Sequence, residues 1–278
     1  MNATELRLDV ANHLDAVAGN ASALSTFVGL DGFVDEILHV VDKRESATKF
    51  TRLPTIAKYA ERLAAAAGRS TNVEMVNVTT KLGGNGPIMS NALASFGFQV
   101  TYLGNLGYPS LHPVFSDFAK RAEVHTIAQP GFTDAVEFDD GKIMVGKLQY
   151  LADVTWPNIE VRFGRDKFNA KFTSAALVGF VNWTMITYMS DIWETVQKEI
   201  CPALKGPRRK MFFDLADPEK RTKEDIRRAL DLIVKFEQWF DVILGLNEKE
   251  SSEIGRVLGL NTGDNSRDGL CKLALEIN

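Results

Sequence analysis

Short runs of β-branched and aromatic residues alternate along this chain with longer amphipathic runs, and this alternation restricts the fold more than any other feature. The pattern is typical of an α/β protein, in which helices cover both faces of a mainly parallel sheet. Six runs are predicted to be strands: 25–30, 98–105, 123–128, 174–180, 209–216 and 241–246. The helices predicted between them span 55–67, 87–96, 111–121, 188–200, 222–239 and 247–258.

Two further segments, 72–82 and 134–146, alternate polar and apolar residues singly, as half-exposed strands do. Within the second, Asp140-Gly141 predicts a hairpin turn. These strands are expected to form a small sheet beside the main one. The chain has neither an internal repeat nor a Pro/Ser-rich linker, so a single domain over 1–278 with a β-rich appendage is predicted.

Charge and composition exclude several classes of partner. The formal net charge is −4, and basic residues form no concentrated face, which argues against a nucleic acid or an anionic membrane as partner. No apolar run approaches the ~18 residues that cross a bilayer. Residues 1–19 alternate charges with leucines, so they predict an amphipathic helix instead of a signal peptide, and a cytoplasmic location is expected. The two cysteines and four histidines are scattered and predict no metal site.

A glycine-rich turn precedes one predicted helix in "LGGNGPIMSNALASFG", residues 82–97. Gly83, Gly84 and Gly86 permit backbone angles that are closed to other residues, and Pro87 fits the first helical turn. The amides at this helix start can approach a ligand closely and attract anions or hydroxyl oxygens. The same residues also fit an ordinary tight connection between a strand and a helix, because they do not form a complete phosphate-loop motif.

Three stretches, taken in order, resemble the ribokinase-like (PfkB-type) carbohydrate kinases. The spacing of that family's N-terminal signature is matched by Gly83, Gly84, Asn85, Gly86 and Gly97. "GLDGFVDEIL" (29–38) is similar to its first strand and sugar-binding aspartate, and "ILGLNEKE" (243–250) is similar to its Asn-x-x-Glu motif. The resemblance implies a three-layer α/β/α fold, a β-lid over the sugar, and transfer of phosphate from ATP to a sugar hydroxyl with Mg²⁺.

The resemblance also implies site residues. The sugar is expected to bind Asp35, with Asp31 as the competing choice, and the turn Gly83-Gly84-Asn85. An ionised carboxylate at Asp35 can accept strong hydrogen bonds from two hydroxyls. Two alternatives stay open, because Asp35 also suits a helix N-cap and Asn85 also suits a turn that bonds its own backbone.

The resemblance also implies that Asn247, Glu250 and Asp214 lie near the nucleotide phosphates and magnesium. Asn247 and Glu250 lie one helical turn apart, so they can hold a hydrated magnesium ion through water, without a direct protein–metal bond, or can form a capping box. Asp214 ends a buried strand at the sheet edge where ligands bind in open α/β sheets. Asp217 is predicted to cap the following helix.

Asn182 and Trp183 follow another strand at the equivalent place. Both can line the sugar pocket, although a tryptophan at a strand end more often packs in the core.

The chain departs from the family at several positions. Ile88 stands where the family often has an asparagine that contacts the sugar, and Pro109 stands where an aspartate is usual. The family's Gly-Ala-Gly-Asp signature, which carries the catalytic base, does not occur. "NTGDNS" (261–266) is predicted to be a plain loop between helices. The base is therefore expected beyond residue 278, as if the chain were the first three-quarters of a family domain.

A second hypothesis is a catalytically inactive sugar-binding or regulatory protein of the same fold. A nicotinamide-dependent dehydrogenase is disfavoured, because the turn at Gly83 lacks Gly-x-Gly-x-x-Gly spacing. Exposed strand edges invite pairing, which makes a homodimer through the lid strands one interpretation.

Overall fold

The computed structural model describes residues 2–277, which form eleven strands and ten α-helices. The strands are β1 (Ser25–Leu30), β2 (Phe33–Arg44), β3 (Phe50–Arg52), β4 (Met75–Gly83), β5 (Gln99–Gly104), β6 (Glu123–Thr126), β7 (Gly131–Phe138), β8 (Gly141–Lys147), β9 (Leu177–Val181), β10 (Arg209–Asp214) and β11 (Phe240–Gly245). The helices are α1 (Ala3–Ala18), α2 (Ile56–Ala64), α3 (Asn85–Ser95), α4 (Ser116–Ala119), α5 (Trp156–Arg162), α6 (Arg165–Ser174), α7 (Met189–Glu199), α8 (Lys223–Phe236), α9 (Glu248–Leu258) and α10 (Arg267–Ile277).

The main sheet contains six parallel strands in the spatial order β11, β10, β9, β1, β5, β6. The six strands predicted from apolar runs are confirmed, and so is the α/β fold with helices on both sides of the sheet. Parallel strands bring all their carboxyl ends to one edge of the sheet, and that edge is where ligands bind in this class of fold.

Alternate side chains of each strand enter two separate cores. Phe27 and Phe213 point to the side that is covered by α5 to α9, within an aromatic cluster that includes Phe172 and Trp193. Val28 points to the opposite side, where α3 and α4 pack. Burial on both sides explains why these strands read as nearly continuous apolar runs.

Five of the six predicted helices are confirmed, and the helix predicted over 111–121 is wrong. A 3₁₀ turn at Pro113–Phe115 and the four-residue helix α4 occupy that segment. The His112 side chain accepts from the Val114 N–H and Pro113 begins the 3₁₀ turn, so α-helical backbone starts only at Ser116. The segment 261–266 contains neither helix nor strand, as predicted.

A second sheet of five strands contains both segments from which a lid was predicted, and we call this sheet the lid. Its centre is β2, which pairs antiparallel with β4 and parallel with β7, and β7 forms a hairpin with β8. The segments 72–82 and 134–146 both contribute to this sheet, whereas β2 and β3 have no counterpart among the predicted strands. One face of the lid carries Leu38, Val136 and Phe138, which pack with residues of α2.

Helix α1 makes little contact with the rest of the chain, because none of its residues is buried. Within residues 2–277, every helix is too short or too polar to cross a bilayer.

Candidate active site

The candidate site lies where the carboxyl ends of β1, β9 and β10 meet the start of α3. Residues from segments far apart in the sequence join there in one hydrogen-bonded network. Asp31 follows β1, Asn182 follows β9, and Asp214 ends β10, while Asn85 is the first residue of α3. The lid strand β2 begins two residues after Asp31 and carries Asp35.

Asp31 is the centre of this network. Its carboxylate accepts hydrogen bonds from the backbone N–H groups of Asn85 at 2.9 Å and Gly86 at 2.8 Å. The side-chain amide of Asn182 donates to it at 2.8 Å, and the Tyr102 hydroxyl lies 3.3 Å from Oδ1. The helix-end amides of the glycine turn therefore bind a carboxylate of the protein itself.

The turn needs glycine because the backbone lies against this carboxylate. A Cβ added at Gly86 would lie 2.5 Å from Asp31 Oδ1 and 2.3 Å from the Tyr102 hydroxyl. Gly84 has a φ of 96°, which is a left-handed conformation that favours glycine, and a Cβ there would lie 2.9 Å from Asp31 Oδ2. These glycines serve the contact between α3 and Asp31.

The environment of Asp31 opposes its ionisation. The residue is 0% exposed, and burial raises its pKa to about 6, although the four hydrogen bonds oppose that shift. With both oxygens occupied by donors from three other segments, Asp31 holds the turn in place. Of the two aspartates named as sugar ligands, Asp31 is the one enclosed by protein.

Asp35 lies on the lid instead. It is paired in register with Lys81 of β4 and Thr133 of β7, and its side chain is half-buried. Burial raises the pKa of Asp35, while a hydrogen bond from Thr133 and the charge of Lys142 oppose the rise. Its position inside a strand excludes the helix N-cap role. A Cβ at Gly83 would lie 2.3 Å from Asp35 Oδ2, so the glycine turn and the lid carboxylate adjoin.

Asn85 connects the turn to Asp214. Its backbone N–H donates to Asp31, and its side-chain Nδ2 donates to Asp214 Oδ2 at 2.5 Å. Burial raises the pKa of Asp214, and the negative charge of Glu250 adds to the rise, whereas the bond from Asn85 opposes it. Asn85 is exposed, so its amide is within reach of a ligand.

Among residues 2–277, three residues other than glycine adopt left-handed backbone conformations, and all three follow β9 or β10. They are Asn182 with φ 61°, Ala216 with φ 59° and Asp217 with φ 54°. Such strained conformations concentrate at functional sites. Trp183, by contrast, is fully buried and its Nε1 donates to Ser190 Oγ, which confirms its packing role.

Asn247 and Glu250 form the capping box of α9. Asn247 Oδ1 accepts from the Glu250 backbone N–H, and Glu250 accepts in return from the Asn247 N–H, both at 3.0 Å. The other Glu250 oxygen accepts from the Asp217 N–H at 3.0 Å, which joins α9 to the loop after β10. Asp217 occupies the N-cap position of the 3₁₀ turn Pro218–Lys220, but the predicted capping bond is absent, because its side chain contacts Lys220 and Lys249.

These residues suit a cation held through water more than one bound directly. No group of three His, Cys, Asp or Glu side chains that could hold a metal occurs in the part of the chain that the structure describes. Each Glu250 oxygen and Asn247 Oδ1 uses one lone pair on a backbone N–H and keeps another. The donor set therefore fits the water shell of Mg²⁺, which keeps several waters when it binds protein.

Sequence reasoning overlooked Tyr102 and Thr133. Tyr102 lies inside a buried strand, and its hydroxyl reaches the backbone oxygen and the carboxylate of Asp31. Thr133 reaches Asp35 only because β7 pairs with β2 in one register. Neither residue belongs to a local motif, so only the strand pairing reveals it.

Comparison with known proteins identifies relatives of the chain. A family model described as prokaryotic ketohexokinase matches residues 9–275. The ketohexokinase of Haloferax volcanii is 28% identical over 242 residues, which cover 86% of this chain and 64% of that protein. The chain thus spans less than two thirds of the length of this curated relative.

Solved structures share the fold at low identity. Phosphofructokinase-2 from Escherichia coli, in complex with substrates and products, superposes with a TM-score of 0.56 at 12% identity. Ribokinase from Arabidopsis thaliana, complexed with ribose and ATP, superposes with a TM-score of 0.54 at 14% identity. Each alignment covers 91% of this chain and 68% of the other.

Proposed function

The chain belongs to the prokaryotic ketohexokinase family, and on that premise we propose that it carries the sugar-binding and phosphate-facing parts of an ATP-dependent sugar kinase. The proposed acceptor is a ketohexose, the substrate class in the names of the family and its curated relative.

One observation carries the proposal: the half-buried carboxylate of Asp35 adjoins the glycine turn whose next residue is the exposed Asn85. A carboxylate accepts hydrogen bonds, so Asp35 suits neighbouring hydroxyls of a sugar. Charge makes such bonds roughly twice as strong as neutral ones. Because the lid holds Asp35 and helix α3 begins with Asn85, a bound sugar would contact both the lid and the start of α3.

The phosphate side is assigned to Asn247 and Glu250, with Asp214 between them and the sugar. Their free lone pairs can orient waters of a hydrated magnesium ion. Magnesium, when bound with ATP, neutralises charge on the phosphates during transfer. The residues of this chain would then act by positioning the two substrates.

The base that removes the hydroxyl proton is assigned to no described residue. The Gly-Ala-Gly-Asp segment expected beyond residue 278 stays a prediction. The inactive sugar-binding protein remains the second candidate, because the same observation at Asp35 supports binding without transfer.

Calorimetric titration with D-fructose, beside a coupled ATP-consumption assay, tests the proposal. Asp35→Asn should weaken binding at least tenfold, since it removes a charge-assisted acceptor worth about 1.5–3 kcal/mol. Asp42→Asn, an exposed carboxylate on the same strand, is the matched control and should bind like the unmodified chain. Equal affinity of the Asp35 and Asp42 variants would refute the sugar site. Binding without turnover would favour the inactive protein.

We further propose that the lid mediates a homodimer. Val78 and Val145 on the lid strands are 52% and 48% exposed, and apolar residues in such positions suit a partner surface. Sedimentation equilibrium should find a dimer that Val145→Lys dissociates. A monomer at all concentrations would contradict the proposal.

A further inference from the structure

We propose that Asp214 is a positioning residue for Asn85: it fixes the side-chain amide so that Asn85 presents its carbonyl oxygen, and not its NH₂ group, to a sugar hydroxyl. The inference rests on the proposed sugar site and deepens it, because it states which atom of the turn would bind the ligand and what holds that atom in place.

Hydrogen-bond chemistry determines the orientation. An asparagine amide can donate through Nδ2 or accept through Oδ1, whereas an ionised carboxylate can only accept. The 2.5 Å contact with Asp214 Oδ2 therefore requires Nδ2 on that side. Oδ1 then lies on the opposite edge of the planar amide, and it has no protein donor within residues 2–277.

Both ends of this pair are fixed. The backbone of Asn85 is held by Asp31 at 2.9 Å, at the start of α3. The backbone of Ala216 and Asn182, two residues with left-handed φ angles, lies near the Asp214 carboxyl and lowers its pKa. Neither partner can rotate freely, so the carboxylate selects one of the two amide orientations.

The charged groups around this pair are all carboxylates, which accept hydrogen bonds when ionised. Asp31, Asp35 and Glu250 approach from β1, the lid and α9, and all are acidic. A carbonyl oxygen from Asn85 gives the sugar an acceptor beside the acceptor oxygens of Asp35. The hydroxyls of the sugar would then act as donors at this end of the site.

The first test needs no sugar. In protein labelled with ¹⁵N at asparagine, the Asn85 side-chain signal is identified by its loss in Asn85→Ser. In Asp214→Asn that signal should shift upfield, because the strong bond to the carboxylate is gone. Asp217→Asn, which lies in the same loop and contacts lysines, should leave it in place. An unchanged Asn85 signal in Asp214→Asn would overturn the inference, whether or not the chain binds sugar.

The second test uses D-fructose and its monodeoxy analogues in calorimetry. One analogue should bind the unmodified chain about tenfold more weakly than fructose, because it lacks the hydroxyl that donates to Asn85. In Asp214→Ala, which removes the acceptor, and in Asn85→Ser that same difference should disappear, and the double variant should bind like either single variant. A role in folding alone would weaken every ligand by the same factor and would refute positioning. If the unmodified chain does not bind fructose, the sugar site is refuted. The amide orientation would then be decided by the first test alone.

Discussion

Replacing Asp31 with asparagine should remove a specific pH dependence of stability. Asp31 is fully buried, and its pKa rises from 3.8 to about 6 because burial disfavours the charge. At a pH between 3.8 and 6, Asp31 is protonated in the folded chain and has lost its proton in the unfolded chain. The proton stabilises the fold below pH 4, and this stabilisation is lost as the pH rises through 6.

The size of the effect follows from the pKa shift. One pKa unit corresponds to 1.36 kcal/mol, so the whole shift corresponds to about 3 kcal/mol. Between pH 5 and pH 7 the folded state loses most of this proton, which lowers the free energy of unfolding by about 1.3 kcal/mol. An asparagine side chain binds no such proton, so the Asp31→Asn variant lacks this contribution.

Urea unfolding at pH 5 and pH 7 measures the effect. The difference in unfolding free energy between the unmodified chain and Asp31→Asn should be about 1.3 kcal/mol larger at pH 5. The other titrating groups are the same in both proteins, so their contributions to the pH dependence cancel in this difference. Asp15→Asn, on the exposed helix α1, is the control and should change in parallel with the unmodified chain. If the Asp31 variant also changes in parallel, Asp31 does not titrate in this range, and the reasoning from burial is refuted.

Three other substitutions or reactions test the packing. Gly86→Ala should lower the unfolding free energy by about 3 kcal/mol, because the new methyl group would lie 2.3 Å from a buried tyrosine hydroxyl. Gly19→Ala is the control and should be tolerated, because no atom lies within 4 Å of the added methyl group. Glu250→Gln should cost about 1–2 kcal/mol in urea unfolding, because one backbone N–H loses its acceptor; an unchanged midpoint would contradict the capping role. Burial raises the pKa of Cys201 to about 12, so a thiol reagent should modify only the exposed Cys271 in the folded chain, and peptide mapping that found both modified would count against this.

Elements with a strong local pattern were predictable. Several strands of the main sheet, such as β1 and β9, are apolar on both sides, so their sequences identify them without knowledge of their neighbours. Strand β2 was not predicted, because its pairing with β4 shifts register between Ile37 and Leu38 and breaks a simple alternation. The helix predicted over 111–121 is wrong, because a 3₁₀ turn occupies Pro113–Phe115 and only Ser116–Ala119 is α-helical.

The two candidate aspartates lie in different environments, and their sequence context does not predict this difference. Asp31 and Asp35 are four residues apart, both follow the first strand, and their residue type is the same. The chain turns at Asp31 and enters β2 at Phe33, so one carboxylate lies beneath the glycine turn and the other lies on the lid. Their different surroundings come from segments at least 46 residues away.

By itself, the sequence determined the α/β class, the glycine turn at the start of α3 and the family to which the chain belongs, because these are patterns of neighbouring residues. The tertiary structure alone decided what the turn holds. Asp31 and Asp214 reach Asn85 across 54 and 129 residues of sequence, and no local periodicity encodes such contacts. Parallel strands place their carboxyl ends at one edge whatever their separation in the chain, and that geometry assembles the site.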